Sequence, residues 1–234
     1  MILDGVDLLT TDHPLIADCS GRGVRVAIVD SGVTVGHPHL PDIRVGLSIA
    51  MDGSIGTDFA DRIGHGTAVA AAIHEKAPDA EILPVRVFER ALETGAAVLV
   101  AAVDAAVERG AAIVNLSLGT PDLTRALLFE PCIARAVEAG ALIVSPARHR
   151  DRLWLPGSLA QTVGVELDDE LDRNEIRRTE SGQRWAASGY PRPIPGVDPK
   201  RNLRGVSFAA ANVSGLLARA LQAARISSGC WTHG

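Results

Sequence analysis

The sequence predicts an α/β fold, a doubly wound, mostly parallel sheet flanked by helices. Three observations carry that expectation. Short runs rich in Val, Ile and Leu recur along the chain without strict polar alternation, as expected of parallel strands covered on both faces. Alanine-rich stretches of helical length lie between them, and strand alternating with helix is the pattern of a wound parallel sheet. Aromatic residues make up only 3% of the 234 residues, which suits helices packed closely on a sheet better than a β-sandwich.

The elements follow in order. "VRVAIVD" (24–30) is an apolar strand that ends on Asp30, with Ser31 and Gly32 breaking it off. "HGTAVAAAIHEKA" (65–77) is a helix and "AEILPVRVF" (80–88) the next strand. The helix "GAAVLVAAVDAAVERG" (95–110) stops at Gly110, and the strand "AAIVNLSLG" (111–119) follows. The helix "EPCIARAVEAG" (130–140) stops at Gly140 and leads to the strand "ALIVSPA" (141–147). Glycine at both stops supplies the left-handed residue that closes a helix. From Trp154 to Arg204 the pattern weakens into loops, with short antiparallel strands expected around "TVGVEL" and "QRWAAS". The order returns in "GVSFAAANVSGLLARALQAARI" (205–226), a long helix with Ser207 in its first turn. Residues 1–22 read as a short N-terminal extension, 23–226 as one domain and 227–234 as a tail.

Bulk properties exclude several classes. A net charge of −5 argues against a nucleic-acid surface, and the basic runs "RHRDR" (148–152) and "KRNLR" (200–204) read as solvated loops. Cys19, Cys132 and Cys230 cannot all pair, and Cys132 reads as a buried thiol in a helix. No Cys or His cluster has metal-ligand spacing, so neither metal nor cofactor is expected. The first residues carry acids where a secretory signal carries positive charge, and no apolar run approaches the roughly 18 residues that span a bilayer. A cytoplasmic chain without a membrane partner is expected.

In open parallel sheets chemistry collects beyond the carboxyl ends of the strands, where Asp30 stands. "GHGT" (64–67) puts His65 at the start of a helix, between two glycines that let the chain pass close to a neighbour. In "GVSFAAANVSG", Ser207 follows shortly after Gly205 and opens a helix whose first N–H groups point toward anything bound at its hydroxyl. Each motif alone has a structural reading, as a turn, a helix start and a helix cap respectively. Their order Asp, His, Ser, with the sheet pattern between them, is far more specific.

"VAIVDSGV" with "HPHL", "GHGTAVAAAI", "VNLSLG" and "GVSFAAANVSG" together resemble the subtilisin-like serine peptidases, over about residues 23–224. The resemblance implies a subtilisin-like fold and a peptidase acting on a peptide or protein substrate. Ser207 would be the nucleophile, His65 its base and then the acid for the leaving amine, and Asp30 the group that fixes the imidazole tautomer. It also implies an extended substrate aligned on Asn115, Ser117, Leu118 and Gly119, with Ser145, Pro146 and Ala147 alongside.

Two departures from the family shape the expectation. The family places an asparagine amide after the next strand, in a sequence like "SPAGN", to donate to the oxyanion, whereas this chain reads "SPARH". His149 and Arg148 fall on those positions and are expected to donate instead. Losing one such donor lowers turnover on the order of 100- to 1000-fold. The passage "HEKAPDAEILPVRVF" leaves no room for the calcium loop of secreted members, and only about 22 residues precede the Asp30 strand. An intracellular processing peptidase of narrow specificity is expected, with the maturation of a precursor or leader peptide as one task. The alternatives are an impaired fold that binds peptides along "NLSLG" without cutting them, and a serine esterase or acyl transferase using the same three residues.

Overall fold

The computed structural model describes residue 3, residues 5–198 and residues 201–228. Cys230, Lys200 and nearly all of the expected tail lie outside the described residues. The expected strands and helices are present. The strands are β1 (Leu8–Thr10), β2 (Arg25–Asp30), β3 (Leu47–Ile49), β4 (Ile55–Gly56), β5 (Glu81–Arg86), β6 (Ile113–Leu116), β7 (Leu142–Pro146), β8 (Arg148–His149), β9 (Arg152–Leu153), β10 (Val163–Leu167), β11 (Glu175–Arg178) and β12 (Trp185–Ala187). The α-helices are α1 (His65–Lys76), α2 (Ala96–Glu108), α3 (Ala126–Glu138) and α4 (Val206–Ser227).

Ten strands form one sheet in the order β1-β11-β12-β10-β7-β6-β2-β5-β3-β4. From β12 to β3 every neighbouring pair is parallel. The antiparallel pairs stand at the two margins. The winding is double because successive strand residues feed opposite cores. Val26 and Ile28 of β2 join the core under α1 and α4, while Ala27 and Val29 join the core under α2 and α3. Strands buried on both faces have no polar side, which is why β2, β6 and β7 read as unbroken apolar runs. Alanine lines the inner faces of α1, α2 and α4 and lets the helices lie close to one another. Gly110 and Gly140, at φ 75° and 79°, close their helices as expected.

Four expectations are corrected. The stretches around "TVGVEL" and "QRWAAS" become β10 and β12, and they pair parallel to each other. The chain leaves β10, skips one strand position to form β11, then turns back and inserts β12 between the two. Strands of three to five residues carry too little periodicity to reveal that insertion. Secondly, α3 begins at Ala126, after a 3-10 turn capped by Asp122, and carries Pro131 inside. Pro131 is the sixth residue of this helix and has no N–H to give the Leu127 carbonyl. Thirdly, the first 22 residues do not stand apart: β1 pairs with β11, and Leu9 and Ile16 are buried in the core under α1 and α4. Finally, Ser227, counted with the tail, is the last residue of α4. Cys132 is buried in α3, where loss of water pushes its thiol up to about 11. Among the described residues no helix is long and apolar enough to cross a membrane.

Candidate active site

β2 delivers Asp30 to the carboxyl edge of the sheet, where its side chain is wholly buried. Burial of a carboxylate is tolerated only with partners in place. The backbone N–H of Ser31 donates to Oδ1 at 2.7 Å, and His65 Nδ1 lies 2.8 Å from Oδ1 and 3.0 Å from Oδ2. His65 opens α1, whose first turn approaches the Asp30 loop so closely that a Cβ on Gly66 would collide with the Gly32 carbonyl oxygen. That contact is the reason for glycine after histidine in "GHGT". Burial pulls the His65 pKa down, but the hydrogen bond and charge of Asp30, with the charge of Asp61 added, outweigh it and leave the pKa raised.

Asp61 belongs to this arrangement although sequence reasoning passed over it. Its carboxylate accepts from Ser31 Oγ at 2.9 Å, from the N–H groups of Ile63, Gly64 and Thr67 at 2.8–2.9 Å, and from Thr67 Oγ1 at 2.5 Å. Burial raises the Asp61 pKa, and these donors more than reverse that, so the group stays charged. Asp61 thereby ties the loop after β2 to the start of α1, and so positions Asp30 and His65 against each other. The available signal was a carboxylate shortly before the helix, in "DRIGHGT", although it stands three residues ahead of the N-cap Gly64 and so outside the usual capping position.

Ser207 sits in the first turn of α4, held by Gly205 N–H donating to the Gly189 carbonyl at 2.9 Å. Its Oγ donates to the Ser117 carbonyl at 2.9 Å and makes no hydrogen bond to His65. Phe208 beside it packs on the His65 ring, with centroids 5.5 Å apart. Asn115 Nδ2 donates to Ser117 Oγ at 2.7 Å and Ser214 Oγ donates to Asn115 Oδ1 at 2.9 Å, so β6 is bolted to α4. Ser145 Oγ donates to the Leu118 carbonyl at 3.3 Å, which brings the ends of β6 and β7 together. Pro146 and Ala147 are buried there, and Ala147 N–H is taken by the Val165 carbonyl. A cleft of 430 Å³ opens beside Leu118, Gly119 and Thr120 over Phe88 and Leu99.

Neither His149 nor Arg148 makes a hydrogen bond to Ser207 among the described residues. They form β8, which turns back through β9 as an exposed hairpin. The His149 ring packs on Trp154 with centroids 5.0 Å apart, and Arg148 Nε faces Glu166 at 3.7 Å. The two-strand hairpin lifts both residues onto the exposed surface beyond β7, which the sequence alone did not signal. The described residues hold no group of three or more His, Cys, Asp or Glu able to bind a metal.

The sequence profile of the subtilase family, Peptidase S8, matches residues 21–151, more than half of the chain, including Asp30 and His65 but ending before Ser207. A thermostable alkaline protease of Halalkalibacterium halodurans is 28% identical over 92% of this chain, which spans 61% of that relative's length. The crystal structure of a lanthipeptide protease superposes with a TM-score of 0.73 at 21% identity, covering 94% of this chain and 80% of that one. The prenylagaramide maturation protease PagA superposes with a TM-score of 0.65 at 27% identity, covering 88% of this chain and 78% of that one. With the profile match over most of the wound sheet and over both ends of the Asp30–His65 pair, the chain belongs to the subtilase family.

Proposed function

We propose that the chain is a serine endopeptidase working through Asp30, His65 and Ser207. The observation that carries this is the pair formed by His65 Nδ1 and both oxygens of the wholly buried Asp30, together with a serine on the helix start beside it. The pairing leaves Nε2 as the basic nitrogen. Ser207 Oγ turns from the Ser117 carbonyl toward Nε2, gives up its proton there and bonds to the scissile carbonyl carbon. The tetrahedral oxyanion is met by the backbone N–H of Ser207, which stands too early in α4 to have an intrahelical acceptor, whereas those of Phe208 and Ala209 donate to the Gly205 carbonyl. His65 then returns the proton to the departing amine. Water, deprotonated by His65, attacks the acyl-enzyme, and the carboxylic acid leaves as Ser207 Oγ regains its proton.

The substrate strand in this reading is Ser117–Gly119, with Ser145–Ala147 on the other side and the cleft beside Leu118 taking a substrate side chain. The narrower task is the maturation of a precursor peptide, which the likeness to the prenylagaramide maturation protease supports. A second reading, peptide binding without cleavage, is favoured by the bond from Ser207 Oγ to the Ser117 carbonyl, which turns the hydroxyl away from His65. A fluorophosphonate probe separates the two. The wild-type protein is expected to be labelled covalently and Ser207→Ala not at all, while an unlabelled wild type would leave only the binding reading.

A further inference from the structure

Five consecutive ionisable side chains follow β7, Arg148, His149, Arg150, Asp151 and Arg152, in a chain of net charge −5. β8 and β9 fold them into a tight hairpin, with Arg148 opposite Leu153 and His149 opposite Arg152, and all five are exposed. Arg150 sits at its tip with φ 51°. A left-handed backbone is unfavourable for an arginine, where glycine or asparagine would be at ease. Among the described residues no carboxylate pairs with Arg150 or Arg152. Arg148 shares Glu166, at 3.7 Å, with Arg184, which holds the same oxygen at 2.7 Å. An open cleft of 810 Å³ continues behind, with Arg148, Arg177, Arg178 and Arg184 on its walls against Glu166, Asp168 and Glu180.

The hairpin is rooted on the strand assigned to the substrate. Trp154 N–H donates to the Ala147 carbonyl at 3.0 Å, and Leu155 exchanges backbone hydrogen bonds with Thr120 at 2.8 and 2.9 Å. Trp154 closes on Gly119, where a Cβ would stand 3.0 Å from its Cε3, and His149 packs on the outer face of the same indole. A peptide running along Ser117–Gly119 therefore passes the foot of a hairpin in which Arg150 and Arg152 have no carboxylate partner among the described residues.

We propose that the Arg148–Arg152 hairpin recognises acidic side chains of the peptide substrate. The proposal rests on the reading that a peptide lies along Ser117–Gly119. It explains why an arginine occupies a left-handed turn position, since the charge at the tip is what the turn presents. A polyphosphate is the poorer occupant, because Asp151, Glu166, Asp168 and Glu180 stand among the cations and repel a dense anion, whereas spaced carboxylates thread between them.

The test measures binding to the full chain carrying Ser207→Ala, by fluorescence anisotropy with three labelled peptides that share one Gly/Ala/Leu framework and carry Glu, Gln or Lys at alternate positions. The Glu peptide is expected to bind on the order of tenfold tighter than the Gln peptide, with the Lys peptide weakest, and the difference shrinks as salt rises. Arg150→Asn with Arg152→Gln, which keeps a residue tolerant of the left-handed turn, should remove at least about fivefold of the Glu preference, and Arg150→Lys with Arg152→Lys should retain most of it. Equal binding of the Glu and Gln peptides to the unaltered hairpin overturns the proposal, as does a Glu preference that survives Asn/Gln substitution or tighter binding of oligothymidylate than of the Glu peptide. Fluorophosphonate labelling of the same hairpin variants with Ser207 restored separates this from the peptidase reading. Labelling at the wild-type rate shows an intact site, and a wild type that discriminates Glu from Gln but is never labelled loses the cleavage reading and keeps the hairpin.

Discussion

The two flanks of Ser207 are built differently. On one flank Asp30, His65 and Asp61 are buried or half-buried, and nearly every polar atom among them has a partner within the chain. On the other flank the chain leaves β7 and becomes an exposed hairpin in which Arg150 and Arg152 have no carboxylate partner among the described residues. The groups that must hold a charge and a tautomer are over-determined by the chain. The groups that would meet the substrate are left for the substrate to complete. A buried carboxylate without partners would destabilise the fold at once, whereas an exposed arginine waiting for an anion costs little.

The first way to break the contrast is to remove the partnered flank. Ser207→Ala, His65→Ala and Asp30→Asn should each lower kcat by on the order of 10⁴-fold or more, the scale known for triads of subtilisin itself, and their losses should not add. Single-turnover rates of the three variants and of the triple variant on one cleaved peptide check this, and wild-type turnover by His65→Ala removes the triad assignment.

A smaller effect is expected one layer out. Asp61→Ala leaves the N–H groups of Ile63, Gly64 and Thr67 without their acceptor, a loss of about 1.5–3 kcal/mol for a bond to a charged group, or a Tm lowered by roughly 3–10 °C. Asp61→Asn also withdraws one of the charges that raise the His65 pKa. The base must be neutral to act, so a raised pKa places the acid limb of kcat/KM above the ordinary histidine value of 6.5. Loss of Asp61 should move that limb to lower pH. A limb that stays put, or rises, would show that Asp61 acts on the fold alone.

The exposed flank should respond less. His149→Ala is expected to change kcat by less than about threefold, since its ring packs on Trp154, whereas loss of an oxyanion donor lowers it on the order of 100- to 1000-fold. A fall of that larger size would place His149 at the reacting carbonyl after all. Smallest is the response to chelation. α1 passes to β5 through only four residues, 77–80, with no inserted loop, so excess EDTA should move Tm by less than about 2 °C in a thermal melt. A drop beyond about 5 °C would reveal a bound ion that supports the fold.

What sequence alone determined is the part of the protein that short-range physics encodes. Apolar runs without polar alternation identified the strands buried on both faces, glycine after a helical stretch marked the stops of α2 and α3, and "VDSG", "GHGT" and "GVSFAAAN" placed three chemically distinct residues at the ends of such elements. What only the tertiary structure decided depends on pairing between distant segments. The insertion of β12 between β10 and β11, the entry of β1 into the sheet, the five donors gathered by Asp61 and the turning of His149 onto Trp154 all follow from contacts whose partners are separated by a loop or by most of the chain. Strands of two to five residues carry too little periodicity to announce their neighbours, and a side chain's direction on a hairpin depends on register, where a shift of one residue sends it to the opposite face.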